Sequence, residues 1–323
     1  MAYITGYVGT YASPNTPGTF RFRLDDQSGA LDQPELIYPQ TNTKYTAWSN
    51  GLLATVTEAE GAAGLALLDT ASGDARLLDT QLNEHTTACF LTWHEGVLYS
   101  TNYHDGHVLV YTVEDRRLHL AHRLFMGEES GCHQVIFHDQ WMLVPCLCLD
   151  QIQIFDRANH FQAVGTLQFP QGTGPRHGVF TRDHRRFYLV SETSNELFYY
   201  RVDGLSFTLE ATLPILPPDF TGKGDTAAIR LSEDEQTLYV SIRGAGAIAV
   251  FHVDDGHPVL IQHASSLGRE PWDLLLVPGG HFLLAANRKS DEISCFSLHA
   301  DGTIGERCGV LPVPQCVGMS LAY

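Results

Sequence analysis

Two histidines, one glutamate and a group of arginines are the residues of this 323-residue chain whose types suit chemistry near neutral pH. His133 stands in Gly131-Cys132-His133, His177 in Pro175-Arg176-His177, and Glu192 in Ser191-Glu192-Thr193-Ser194-Asn195. An imidazole titrates near neutrality and suits a general base, and a carboxylate beside it could orient the ring or share its proton. A lone buried histidine is more often structural, but three such groups on neighbouring segments argue for a site. Of the 20 basic residues only Lys44, Lys223 and Lys289 are lysines. Arginine stays charged when partly buried and grips carboxylate or phosphate as a fork, which suits an interior anion site. Arg176, Arg230 and Arg243 fall on or beside the same segments. Taken singly, each could equally be a structural salt bridge.

Other catalytic signatures are missing from the sequence. There is no Gly-x-Ser-x-Gly elbow, His-Glu-x-x-His helix, Cys-x-x-Cys pair or Walker loop. Gly244-Ala245-Gly246-Ala247-Ile248-Ala249 imitates a dinucleotide fingerprint, yet it leads into a strand and reads as a hairpin turn. Cys146-Leu147-Cys148 reads as buried structural cysteine rather than a metal pair, and His104-Asp105-Gly106-His107 as a turn.

The positioning elements emerge from a repeat. Seven apolar segments end on a bulky residue followed by a polar turn, at Phe22, Leu68, Tyr111, Phe155, Tyr200, Phe251 and Phe296, with successive spacings of 46, 43, 44, 45, 51 and 45. Tyr99, Leu143, Tyr188, Tyr239 and Leu284 each lie 12 residues ahead of an anchor and open a strand-like run. Polar turn material such as Arg243-Gly244-Ala245-Gly246 separates the two runs, giving a hairpin. A third run follows each anchor and a fourth precedes each hairpin, so the unit is four antiparallel strands. Such units at this period predict an all-β, seven-bladed β-propeller occupying residues 1–323 as one domain. The long spacing of 51 is absorbed by a loop at residues 216–225. The first unit lacks its leading strand and a spare strand, Gln315 to Tyr323, ends the chain, so the two ends are expected to close the ring together. An all-β sandwich is the alternative, but it would not keep a fixed offset. In a propeller the leading strands line a central channel, which is where His133, Arg176, His177 and Arg230 would meet.

Composition narrows the partners. With 37 acidic residues against 20 basic ones the formal charge is −17, which argues against nucleic acid and anionic membrane surfaces. A local arginine and histidine cluster inside that acidic shell could still draw in a small anion. Hydrophobic residues at 44% and charged residues at 18% fit an ordinary folded protein. The seven scattered cysteines and the lack of an Asn-x-Ser/Thr sequon fit reduced thiols. Met1 to Gly6 has no basic, apolar leader and no run approaches 18 apolar residues, so a cytoplasmic location is expected. A closed propeller needs no partner, and a monomer or weak homodimer is expected.

At these residues the chain resembles the cycloisomerase/lactonase family of seven-bladed propellers, which includes propeller-type 6-phosphogluconolactonases and carboxymuconate lactonizing enzyme. The resemblance runs from Gly9-Thr10-Tyr11 to the C-terminus, through Asn102-Tyr103-His104, Gly131-Cys132-His133, the run from Gly172 to Phe180, Glu192, Asp219-Phe220-Thr221-Gly222, Ala228-Ile229-Arg230-Leu231-Ser232, Arg243-Gly244 and Ala286-Asn287. It implies hydrolysis of a sugar-acid lactone, with 6-phosphogluconolactone of the pentose phosphate route as leading substrate, and no metal or cofactor. It further implies His133, Glu192, Arg176 and Arg230 as catalytic residues, and His177, Arg243, Asn102, His104 and Asn287 around the substrate, where Trp272 is expected as well from its own chemistry. The chain departs from the family pattern in having Pro271-Trp272 where Pro-Arg is usual, Ile242 where Asn is usual and Cys146 where Asp is usual. Losing that arginine would weaken phosphate binding, while the indole could instead stack on a sugar ring. Two other readings remain open: a lactonizing or isomerising enzyme acting on an unsaturated dicarboxylate, and a non-catalytic propeller that binds a protein or a small anionic ligand.

Overall fold

Each repeat unit does fold as a four-stranded antiparallel sheet, and seven such sheets form the blades of a ring in the computed structural model, which describes residues 3–11 and 18–322. The leader reading rests partly on Met1 and Ala2, outside the described residues. Blades 2 to 7 run in chain order from innermost to outermost strand. Blade 1 takes its innermost strand, Cys316–Ala322, from the end of the chain, and this strand pairs antiparallel with Tyr3–Thr10.

All seven anchors lie on the third strand of a blade. In blades 2 to 7 the register between third and fourth strands slips immediately before the anchor, at Leu68, Tyr111, Phe155, Tyr200, Phe251 and Phe296. A bulge there increases local twist, so the periodicity visible in the sequence marks where these six blades bend. The second and third strands are almost wholly buried, whereas the fourth, such as Gln162–Gln168, faces outward.

The core is divided among the seven gaps between blades. Tyr188, Val190, Ile229 and Val240 fill the gap between blades 5 and 6, and Val8, Phe22, Leu284 and Ile293 fill that between blades 7 and 1. Each blade buries both its faces, which is why its inner strands read as continuous apolar runs. The innermost strands carry the buried Arg176 and His177 together with Trp272 and Val317. Among the described residues no helix is long and apolar enough to cross a membrane.

Candidate active site

On the face where the innermost strands begin, the channel opens into a cavity of about 190 Å³ lined by Tyr11, Lys44, Cys89, Tyr103, His104, His133, Glu192, Arg243 and Trp272, among others. It is small beside ligand clefts of roughly 300–1,000 Å³, and suits a ligand of single-ring size.

Irregular strand starts aim the key side chains. In blade 5, Pro175 opposes Ser191 and His177 opposes Val190, leaving Arg176 as the extra residue between them. In blade 7, Pro271 opposes Asn287 and Asp273 opposes Ala286, so Trp272 holds the same place. Just ahead of Arg176, Gly174 has φ +66° and its carbonyl accepts from the Glu192 amide at 2.8 Å. A Cβ at Gly174 would lie 2.6 Å from Thr193 Oγ1, so only glycine lets the chain ahead of Arg176 lie against the turn carrying Glu192. The carboxylate oxygen Glu192 Oε2 accepts from Arg176 Nε at 2.8 Å and lies 2.9 Å from Arg243 Nη2. Arg243 is held in turn by the loop that lengthens the repeat, donating from Nε to the Asp225 carbonyl at 3.0 Å.

From Arg243 onward the wall alternates cations and rings. The Trp272 indole carries the Arg243 guanidinium 4.4 Å and the Arg288 guanidinium 4.6 Å from its centroid, and meets Tyr11 edge-on at 5.5 Å. Arg288 and the Lys44 ammonium also lie 4.8 and 5.2 Å from the Tyr11 ring. Such contacts are worth about 0.5–2 kcal/mol each. Arg288 is fixed by Glu270 at 2.5 Å. Lys44 donates only weakly, to the Thr87 carbonyl at 3.4 Å, and burial draws its pKa below the usual lysine value.

This arrangement is found on a recognised scaffold. The family model for seven-bladed β-propeller lactonases matches residues 5–320. The chain belongs to that lactonase family. It is 27% identical to a 6-phosphogluconolactonase of Bacillus subtilis over 98% of both chains. Its fold is similar to that of a protein from Lactobacillus plantarum, with TM-score 0.92 at 26% identity over the whole of both chains. It is also similar in fold to a periplasmic gluconolactonase of Pseudomonas aeruginosa, with TM-score 0.89 at 22% identity, covering 100% of this chain and 99% of that one.

Of the two imidazoles at the cavity of this lactonase propeller, His104 is exposed and His133 is buried. His133 Nδ1 lies 3.2 Å from Nε2 of His177, which is fully buried behind it. Burial first, then the nearby Arg176 guanidinium, holds both imidazoles well below the ordinary histidine pKa, so both are neutral at pH 7. The Cys89 thiol faces the cavity too, but burial raises its pKa and keeps it protonated, which disfavours it as a nucleophile. Arg176 is wholly buried, and among the described residues neither of its Nη groups has a hydrogen-bond partner.

Of the residues singled out in the sequence, His133, Glu192, Arg243, His104 and Trp272 line the cavity, and Arg176 meets it through Glu192. Arg230 does not reach it: it pairs with buried Asp273 at 2.6 Å, and Asp273 also accepts from the Met319 amide at 3.1 Å. That contact ties blades 6, 7 and 1 together. Asn102 and Asn287 also stand away from the cavity. Both are buried at the ends of second strands, and they spend their amide hydrogens on Glu84 and the Thr86 carbonyl, and on the Ser266 carbonyl and Ser294. His177 touches the site only through His133. The indole of Trp272 already carries two guanidiniums, so it serves as their seat rather than as an open platform for a sugar. Tyr11, Lys44, Tyr103 and Arg288 are additions the sequence reading did not single out as site residues. The excess of lysine's rival, arginine, pointed to the site, but Lys44 itself carried no such signal.

Proposed function

We propose that the cavity hydrolyses a sugar-acid lactone bearing an anionic group, with 6-phosphogluconolactone as the leading substrate. The observation that carries this reading is one neutral imidazole, His133, beside a wall whose cations outnumber its carboxylates. Lys44 and Arg243 line the cavity and Arg176 and Arg288 adjoin it, whereas Glu192 and Glu270 are already engaged by arginines. Against an overall charge of −17, such a local concentration of cations serves an anionic ligand. The 6-phosphogluconolactonase relative supports the substrate class.

His133 takes a proton from a water molecule as the water oxygen bonds to the lactone carbonyl carbon. Arg243, with Arg176 behind Glu192, offsets the negative charge developing on the carbonyl oxygen. When the tetrahedral intermediate collapses, the bond to the ring oxygen breaks and the imidazolium returns its proton to that oxygen, leaving the open-chain acid. Glu192 keeps the two guanidiniums in place, and Lys44 with Arg288 receives the anionic tail. The arginine usual at the position of Trp272 is thereby replaced in charge by Arg288, from the next turn of the same blade.

The test is hydrolysis of freshly prepared 6-phosphogluconolactone beside gluconolactone, each corrected for spontaneous ring opening. Faster turnover of the phosphorylated lactone is the expected outcome. Activity on the neutral lactone alone would remove the anionic group from the proposal, and activity on neither would turn the site into a ligand-binding one.

A further inference from the structure

On the face opposite the cavity, the hairpins joining first to second strands in blades 4 and 5 bring together His138, Asp139 and His184. One ring nitrogen of each histidine and one carboxylate oxygen of Asp139 lie within 4.8 Å of one another. We propose that these three side chains bind a divalent transition-metal cation of the zinc type, clamping blade 4 to blade 5 at a site separate from the lactonase cavity.

His138 carries the argument. It is 2% exposed, stacked on Phe180 at 4.8 Å with 11° between the rings, and so fixed in orientation. Its Nε2 hydrogen is committed to the Gly204 carbonyl at 2.7 Å, and its buried Nδ1 has no hydrogen-bond partner among the described residues. An imidazole that donates one N–H to a backbone carbonyl presents a lone pair on the other nitrogen, which is the usual way a protein orients a metal-ligating histidine. Leaving that lone pair buried and unused would cost free energy, and a cation satisfies it.

The other two ligands are built to move. His184 Nδ1 and Asp139 Oδ1 are 2.9 Å apart, and their side chains are 33% and 59% exposed at the tips of their turns. A tetrahedral ion with bonds of about 2.0–2.2 Å needs its ligands about 3.4 Å apart, so the group must draw in by little more than an ångström. Two imidazole nitrogens and one carboxylate oxygen match zinc, cobalt or nickel rather than calcium or magnesium, which favour oxygen ligands. The fourth position would hold water. The nearby cation Arg157 is neutralised by Glu95 at 2.9 Å, so it sets up no unpaired positive charge against the ion. The sequence reading expected no metal for catalysis, and this site asks for none there.

The test uses tag-free protein, dialysed against chelator and titrated with zinc chloride by calorimetry, alongside thermal unfolding with and without zinc. The expected result is one equivalent bound with micromolar or tighter affinity and a rise in Tm of a few degrees. His184→Asn and Asp139→Asn, chosen because asparagine tolerates the positive φ of both turn positions, should each weaken zinc binding at least tenfold and remove the Tm rise. Both should leave the metal-free Tm and lactone turnover near wild type. Absence of stoichiometric binding to the wild type, or equal binding by both variants, would overturn the proposal.

Discussion

His133 Nδ1 and His177 Nε2 face each other at 3.2 Å inside the ring, with both imidazoles neutral. Only one hydrogen can occupy that contact. If it belongs to His133, the Nε2 of His133 is a free base; if it belongs to His177, His133 presents a donor instead. On the proposed mechanism His177 acts as a positioning residue that selects the tautomer. His133→Ala should lower kcat/KM by about 10²–10⁴ with folding intact. His177→Phe should lower kcat with little change in KM, and His177→Gln, which restores an acceptor, should recover part of the loss. Steady-state kinetics on the folded variants separates these outcomes.

Arg176 is buried with two Nη groups unpartnered among the described residues, which a fold optimised for stability alone would avoid. Arg176→Met keeps the contact of Glu192 with Arg243 and removes the desolvated charge. It is expected to leave Tm unchanged or raise it, while kcat/KM falls at least about a hundredfold, the pattern of a residue retained for function. Loss of stability together with activity would assign Arg176 a structural role.

Among the described residues Lys44 forms no ion pair, and it faces the cavity. Lys44→Met should raise KM for a phosphorylated lactone by about tenfold or more, since a charge-assisted hydrogen bond contributes about 1.5–3 kcal/mol. KM for the neutral lactone should change little, and parallel assays read the difference.

Arg230 joins Asp273 where blades 6, 7 and 1 meet, and Asp273 is 1% exposed. Arg230→Met leaves that buried carboxylate without its cation, at a cost of about 3–5 kcal/mol. Denaturant unfolding should record that loss, while kcat/KM of the folded fraction stays within about tenfold of wild type.

Acid should act through the paired histidines. Their folded pKa values lie below the unfolded value of about 6.5, so below that pH the unfolded chain binds more protons than the native one. Stability is therefore complete above pH 6.5 and falls as pH drops toward the depressed native values, by about 1.4 kcal/mol per pH unit for each imidazole. Replacing His133 and His177 by asparagine and glutamine should flatten this part of the stability profile. The acidic limb of kcat/KM should also lie below 6.5, because His133 remains a base there.

The ring was legible because anchors such as Tyr111 and Phe251 recur where six of the seven blades bend. Glu192 and His133 were legible because they stand where those blades turn or begin. Lys44 was not, since it precedes the short strand Thr46–Ser49 in a stretch without apolar pattern. Arg288 lay in what read as turn material, and its partner Trp272 is far closer in space than its role suggests from the sequence. Asn102 and Asn287 illustrate the opposite case: polar side chains near a channel whose amide hydrogens are spent on Glu84 and Thr86, and on Ser266 and Ser294. Sequence places a polar group near a site, but its hydrogen-bond partners come from other blades or neighbouring turns.

The strand Cys316–Ala322 completes the blade begun by Tyr3–Thr10, and Val317 from that strand lines the same cavity as Tyr11 and Trp272. In synthesis from the N-terminus, the first three strands of blade 1 leave the ribosome early, and their fourth arrives only after the other six blades. Until then Tyr11 lacks the Gln315 carbonyl that its amide bonds, and Asp273 lacks the Met319 amide. A nascent chain stalled in its seventh blade would hold His133, Arg176 and Glu192 but no finished cavity wall, because Val317 would still be missing from it.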